Sequence, residues 1–371
     1  MAGLNHSQRA GVGPAFTCFI AVLLTACGGP RTREPPLDPD VARASIQARF
    51  PAGVTNPAAW AQDIFAAFEA LEIRPTAENT CAVIAVTQQE STFQANPPVP
   101  GLGKIARREI EARAERYRVP KLLVNAALAL QSPNGKTYAQ RLDSAKTEQE
   151  LSETFEDFID IVPLGRRLFA GFNPVRTGGP MQVSIEFAAE HARRRAYPYP
   201  IPDSIRREVF TRRGGLYFGI AHLLDYPADY TAMLYRFADF NAGHHASRNA
   251  AFQNALAIAS QTKLALDGDL IIHGSDEPSR TELAARKLAR QLGMSDRDIR
   301  RDLERGTTDA FASAKLYRRV FELADAARDT PVPRALVPKI RLQSAKITRN
   351  LTTEWFAQRV NTRYEQCLRR K

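Results

Sequence analysis

From Ala42 onward the apolar residues return every three or four positions, and that period dictates helices. Trp60, Ile64, Phe65, Phe68 and Leu71 fall on one face of such a helix. Pro75 and Thr76 then break the pattern, and Thr76 is placed to cap a helix running through Val83, Ile84 and Val86 to Glu90. Further on, Ser279-Arg280-Thr281-Glu282 is a capping box, and Gly293 closes the helix it opens. Ser295 and Gly306 bracket another helix, and 309–327 reads as a third. The single good hairpin signal is Asp267-Gly268, between Leu264-Ala265-Leu266 and Leu270-Ile271-Ile272. The expected fold class is mainly α.

The first residues address the chain rather than fold it. A polar start with Arg9 leads into an apolar run from Pro14 to Leu24, too short to span a bilayer and typical of a signal peptide. It ends in Leu24-Thr25-Ala26-Cys27-Gly28, which resembles a bacterial lipobox whose Cys27 thiol becomes a lipid thioether. An ordinary signal peptide followed by a chance cysteine is the plainer alternative. With Gly28 where an Asp would retain the protein at the inner membrane, the expected address is the outer membrane of a Gram-negative bacterium. Several acyl carbons at Cys27 make such anchoring stable. Residues 28–41 carry four prolines and several charges, the composition of a tether.

Removing residues 1–26 leaves 371 − 26 = 345 residues, enough for one large or two modest domains. The expected division is a core over 42–261, with a helical insertion at about 97–172, followed by an extension over 262–371. Cys81 and Cys367 are then an even pair in an oxidising compartment, open to a disulfide or to two separate buried thiols. A formal net charge of +11 attracts anions, but nucleic acid is excluded outside the cytoplasm. Lipid phosphates and the carboxylates of peptidoglycan stems are the counter-charges at hand there.

Three short stretches carry the chemistry. Gln88-Gln89-Glu90-Ser91-Thr92-Phe93 puts a carboxylate at the end of an apolar helix, where burial would keep it protonated for donation to a leaving oxygen. Gly178-Gly179-Pro180-Met181-Gln182 is a permissive turn, and Phe240-Asn241-Ala242-Gly243 ends a helix. In that order they resemble the lysozyme-like lytic transglycosylases. The resemblance covers about 76–96 and 173–255. It implies a lysozyme-like helical core in which Glu90 is the acid. Ser91, Met181, Gln182, Phe240 and Asn241 would then face the glycan. The linkage cleaved would join N-acetylmuramic acid to N-acetylglucosamine, with no protein nucleophile, cofactor or metal. The His244-His245 pair lacks a third ligand at a recognised spacing.

The chain departs from that pattern at several points. Pro180 stands where many relatives have Leu, and Phe240 keeps the ring of the usual Tyr but not its hydroxyl. Tyr217 and Tyr235 are the available replacements for that hydroxyl. Glu90 and Met181 lie 181 − 90 = 91 positions apart, several times the ordinary spacing. A second resemblance spans nearly the whole mature chain. Glu90-Ser91-Thr92-Phe93, Pro100-Gly101-Leu102-Gly103-Lys104-Ile105, the run from Asn173 to Ser184, and Trp355-Phe356-Ala357 look like the YaiW-type outer-membrane lipoproteins of proteobacteria. That likeness implies a place in the envelope. Two functions follow as expectations: cleavage of peptidoglycan by Glu90, or a non-catalytic groove that binds glycan, peptide or an envelope partner.

Overall fold

A computed structural model describes residues 38–161, 172–342 and 350–370. The expected signal peptide, the lipidated Cys27 and most of the tether therefore lie outside the described residues. Residues Asp38–Lys371 form one compact unit, and among its described residues it is mainly α. No helix there is long and apolar enough to cross a membrane.

Helices α1 (Pro39–Ala48), α2 (Pro57–Ala70) and α3 (Ala77–Glu90) open the unit. Thr76 caps α3 as expected, its Oγ1 accepting from the Asn79 amide at 3.2 Å. Every residue of α3 from Thr80 to Thr87 is buried, so the helix is enclosed on all sides. The insertion follows as α4 (Leu102–Arg116), α5 (Lys121–Leu128), α6 (Tyr138–Ser144) and α7 (Glu148–Asp160). Two-residue strands β1 (Thr177–Gly178) and β2 (Val183–Ser184) then pair antiparallel around the Gly-Pro-Met-Gln turn.

After α8 (Ile185–Arg194) and the short α9 (Ile205–Val209) comes α10 (Arg212–Leu224), buried from Gly214 to Ala221. Helix α11 (Met233–Ala242) leads to α12 (Ala246–Ser260), the bridge to a second core. There Phe252 and Leu256 meet side chains of α13 (Arg280–Lys287), α14 (Ala289–Leu292), α15 (Asp296–Glu304) and α16 (Lys315–Arg328). Ser279 caps α13 and Gly293, at φ 57°, ends α14 in the left-handed conformation. The Glu282 carboxylate, however, serves buried ion pairs to Arg286 (2.5 Å) and Arg300 (3.0 Å).

Two expectations need correction. Leu264–Leu266 and Leu270–Ile272 form no hairpin, because α12 claims the turn: Gln253 Oε1 accepts from the Gly268 amide at 2.8 Å, and its Nε2 donates to Asp267 and Asp269. The stretch 262–371 is also not one packing unit. Its last helix, α17 (Thr353–Leu368), returns to the first core, where Phe356, Ala357 and Val360 are buried with α3 and α10. A Cys81–Cys367 disulfide fixes that return.

Candidate functional site

Glu90 is the last residue of α3 and is half-buried. Just before it, the side-chain oxygens of Gln88 and Gln89 are shut off from water without a hydrogen-bond partner. Buried polar atoms are nearly always paired, and these two are among seven such side-chain atoms without a partner in the described residues. Ser91 turns inward instead: it is 5% exposed, and its Oγ donates to the Thr87 carbonyl at 3.1 Å. Thr92 (φ 51°) and Phe93 (φ 57°) both hold left-handed backbone, which costs about 1–3 kcal/mol each for such side chains. The Phe93 ring sets its edge on Phe50 (5.3 Å) and Trp60 (5.7 Å), which holds the strained turn in place.

The second stretch is equally turned inward. Gly179 has φ 74°, and a Cβ there would run into the Val209 carbonyl. Met181 is fully buried against Gly219 of α10, where an added Cβ would lie 2.5 Å from the Met181 sulfur. Gln182 has φ 50°, accepts from Thr177 Oγ1 at 3.2 Å and donates to the Gly179 carbonyl at 3.3 Å. Its polar atoms thus brace their own turn.

The third stretch faces α17 and α10. Asn241 is exposed, but its Oδ1 accepts from Thr353 Oγ1 at 2.8 Å. Phe240 is half-buried, with its ring 5.2 Å from that of His222. Neither tyrosine is shown taking over the missing hydroxyl. That of Tyr217 is buried with no hydrogen-bond partner, and Tyr235 stands beside Tyr230.

A polar cavity of about 830 Å³ begins where the Asn-Ala-Gly stretch ends, at Ala242 and Gly243. His244 is stacked between Tyr226 (4.1 Å) and His222 (4.5 Å), and its Nε2 donates to the His222 carbonyl at 2.7 Å. His222 Nε2 donates in turn to the Phe240 carbonyl at 3.3 Å. Burial pushes His222 and His245 down to about 3 and lowers His244, so all three are neutral near pH 7. Opposite them, the Asp225 carboxyl is held below the usual range by His191, with Arg195 (3.3 Å) adding to the effect. Arg194 and Glu190 also line this cavity.

Asp239 is outside the lining and holds two of the lining residues, Tyr226 and His245, in place. One carboxylate oxygen accepts from Tyr226 (3.1 Å), Tyr230 (2.7 Å) and the His245 amide (2.9 Å). The other accepts from the Ser247 amide at 2.6 Å, which also caps α12. Burial raises the Asp239 carboxyl, against the pull of these bonds.

A second cavity, of about 640 Å³ and almost wholly apolar, lies in the insertion. None of Glu90, Ser91, Met181, Gln182, Phe240 or Asn241 lines either cavity. Among the described residues no group of three or more His, Cys, Asp or Glu is arranged to hold a metal. His191, His222 and Tyr226 escaped the sequence reading because they lie outside the three stretches, whereas Asp239 stands directly before Phe240 but gave no sign of its role. Only the adjacent His244-His245 gave a visible signal.

The packing thus defines a mainly α protein with an ordered motif set and two chemically opposite cavities. The chain belongs to the family described as "Protein of unknown function (DUF1615)", whose pattern matches residues 53–370. It is similar to the Escherichia coli (strain K12) protein described as "Uncharacterized protein YaiW", with 56% identity over 324 residues. That alignment covers 87% of this chain and 88% of the relative. No solved structure matches the fold.

Proposed function

We propose that this chain is an outer-membrane lipoprotein, anchored through Cys27, whose lysozyme-like core binds the glycan strands of peptidoglycan without cleaving them. The observation that carries this reading is the inward commitment of the motif residues. Met181 is buried, Ser91 and Gln182 bond to their own turns, and the Asn241 oxygen serves Thr353. The polar cavity after Gly243 offers a place for glycan, and Arg194, whose side chain is 65% exposed beside Glu190, is the cation there for stem carboxylates.

Cleavage is the second reading, favoured by the orphaned Gln88 and Gln89 oxygens beside Glu90 and the strained turn that follows. In that case Glu90 is the acid and the substrate traps its own cation-like centre, giving an anhydro product without cofactor or metal.

One experiment separates them: sacculi are incubated with the protein, with Glu90→Gln and with Arg194→Ala, then tested for retained protein and for released muropeptides. Binding predicts equal retention of parent and Glu90→Gln, weaker retention of Arg194→Ala, and no anhydro product. Anhydro-muropeptides released by the parent but not by Glu90→Gln would establish cleavage. Absence of both retention and released muropeptides in all samples would sink both.

A further inference from the structure

The insertion presents apolar side chains to water in a pattern unlike the rest of the molecule. Seven of the eleven large apolar residues exposed in the described chain fall between 117 and 172: Tyr117, Val119, Leu122, Leu123, Leu130, Ile161 and Phe172. Helix α5 buries none of its residues, and Leu122 is 78% exposed. Single exposed leucines need no explanation, but a cluster on one lobe marks an interaction surface.

Behind that surface lies the cavity of about 640 Å³, within the range of sites for small organic ligands. Ile110, Leu123, Leu142, Leu151, Phe155 and Phe158 are among its nineteen lining residues. Three of the polar side chains in its wall bond within the protein, and Glu109 is the remaining charged one. Tyr138 donates to the Asp157 carbonyl (2.9 Å), Thr154 to the Glu150 carbonyl (2.7 Å) and Arg113 to the Phe172 carbonyl (2.8 Å). A polar ligand would find little to bond in so apolar a wall and would lose its hydration on entry. An alkyl chain loses nothing there.

Charge at the rim narrows the ligand further. Residues 113–121 carry Arg113, Arg116, Arg118 and Lys121 against Glu115, while Glu109 stands in the cavity wall. Arg116, Arg118 and Lys121 are exposed, alternate with Tyr117, Val119 and Leu122, and make no ion pair among the described residues. Exposed cations interleaved with aromatic and aliphatic side chains are the chemistry of an anionic lipid surface.

We infer that this lobe binds an anionic membrane lipid, with one acyl chain in the apolar cavity and its headgroup among Arg116, Arg118 and Lys121. The site does not depend on the glycan reading, because it shares no residue with the polar cavity.

The test uses the compact unit from Asp38 onward, which contains both cores, and lysophosphatidylglycerols of increasing chain length as probes in calorimetric titration. Saturable one-to-one binding is expected, tightening about fourfold for each added methylene until the cavity is full. Leu123→Glu, at a position 58% exposed and therefore tolerant in the fold, should weaken binding about tenfold or more. Changing Arg116, Arg118 and Lys121 together to Glu should weaken the anionic probe and spare a lysophosphatidylcholine of the same chain. The inference is overturned by absence of saturable binding, by affinity independent of chain length, or by full affinity in Leu123→Glu. Equal loss of both headgroups in the triple variant would overturn the assignment of the cations.

Discussion

The polar cavity and the apolar cavity sit in one chain but are built on opposite plans. Around the first, most groups answer one another: His244 stacks on two rings, Asp239 accepts four hydrogen bonds, and Asp225 is matched by His191 and Arg195, while the Nδ1 atoms of His191 and His222 are buried without a partner. Around the second, the wall is almost wholly apolar and apolar surface is left without cover. A wall of the first kind is expensive to disturb, because removing a bonded group such as Asp239 leaves unpaired neighbours. A wall of the second kind tolerates substitution and gains most from a ligand.

The comparison breaks first, and hardest, at the Cys81–Cys367 link, which spans 286 residues and holds α17 on α3. Replacing both cysteines by serine should cost about 4 kcal/mol, seen as a lower midpoint in denaturant. An unchanged midpoint would show that α17 packs as firmly without the bond. Next comes Asp239→Ala. It strands two tyrosine hydroxyls and two amides, so a loss of about 3 kcal/mol is expected in the same titration. A loss under about 1 kcal/mol would mean that water replaces the carboxylate.

Acid gives a smaller and more gradual test. His222, His244 and His245 have folded pKa values below the solvated value of 6.5, so the unfolded chain takes up protons first as pH falls. Their contribution is complete above about 6.5 and is lost as pH drops toward 3, the value to which burial brings His222 and His245. Asp239 acts in the reverse sense, since its raised carboxyl favours the fold at low pH and loses that contribution as pH rises through its folded value. Thermal melts from pH 7 down to pH 4 should show a falling midpoint, and His245→Gln should flatten that slope. The smallest effect belongs to the lobe: Leu122→Ser should change stability by less than about 0.5 kcal/mol. A large loss there would mean that α5 is covered after all.

Much of the helical framework was legible because its signals are local. Thr76, Ser279, Ser295 and Gly293 act on amides and carbonyls within one turn, and all four sit at the helix ends the sequence assigned. The Asp267-Gly268 turn misled because its hairpin signal is also local, while its partner is Gln253, fourteen to fifteen residues away on α12. The three motif stretches were visible as strings, but their side chains were expected to face a ligand and in large part brace the protein. Composition does not say which way Ser91, Met181 or Gln182 will turn.

The sequence by itself determined the helical period, the helix ends, the charge of the lobe rim and the family to which the chain belongs. Tertiary structure alone decided that Cys81 meets Cys367, that Thr353 reaches Asn241 across 112 residues, and that His191, His222 and His244 share one cavity. The physical reason is range. Helix periodicity and capping act over three or four residues, whereas cavities and buried charges exist only after distant segments have excluded water between them.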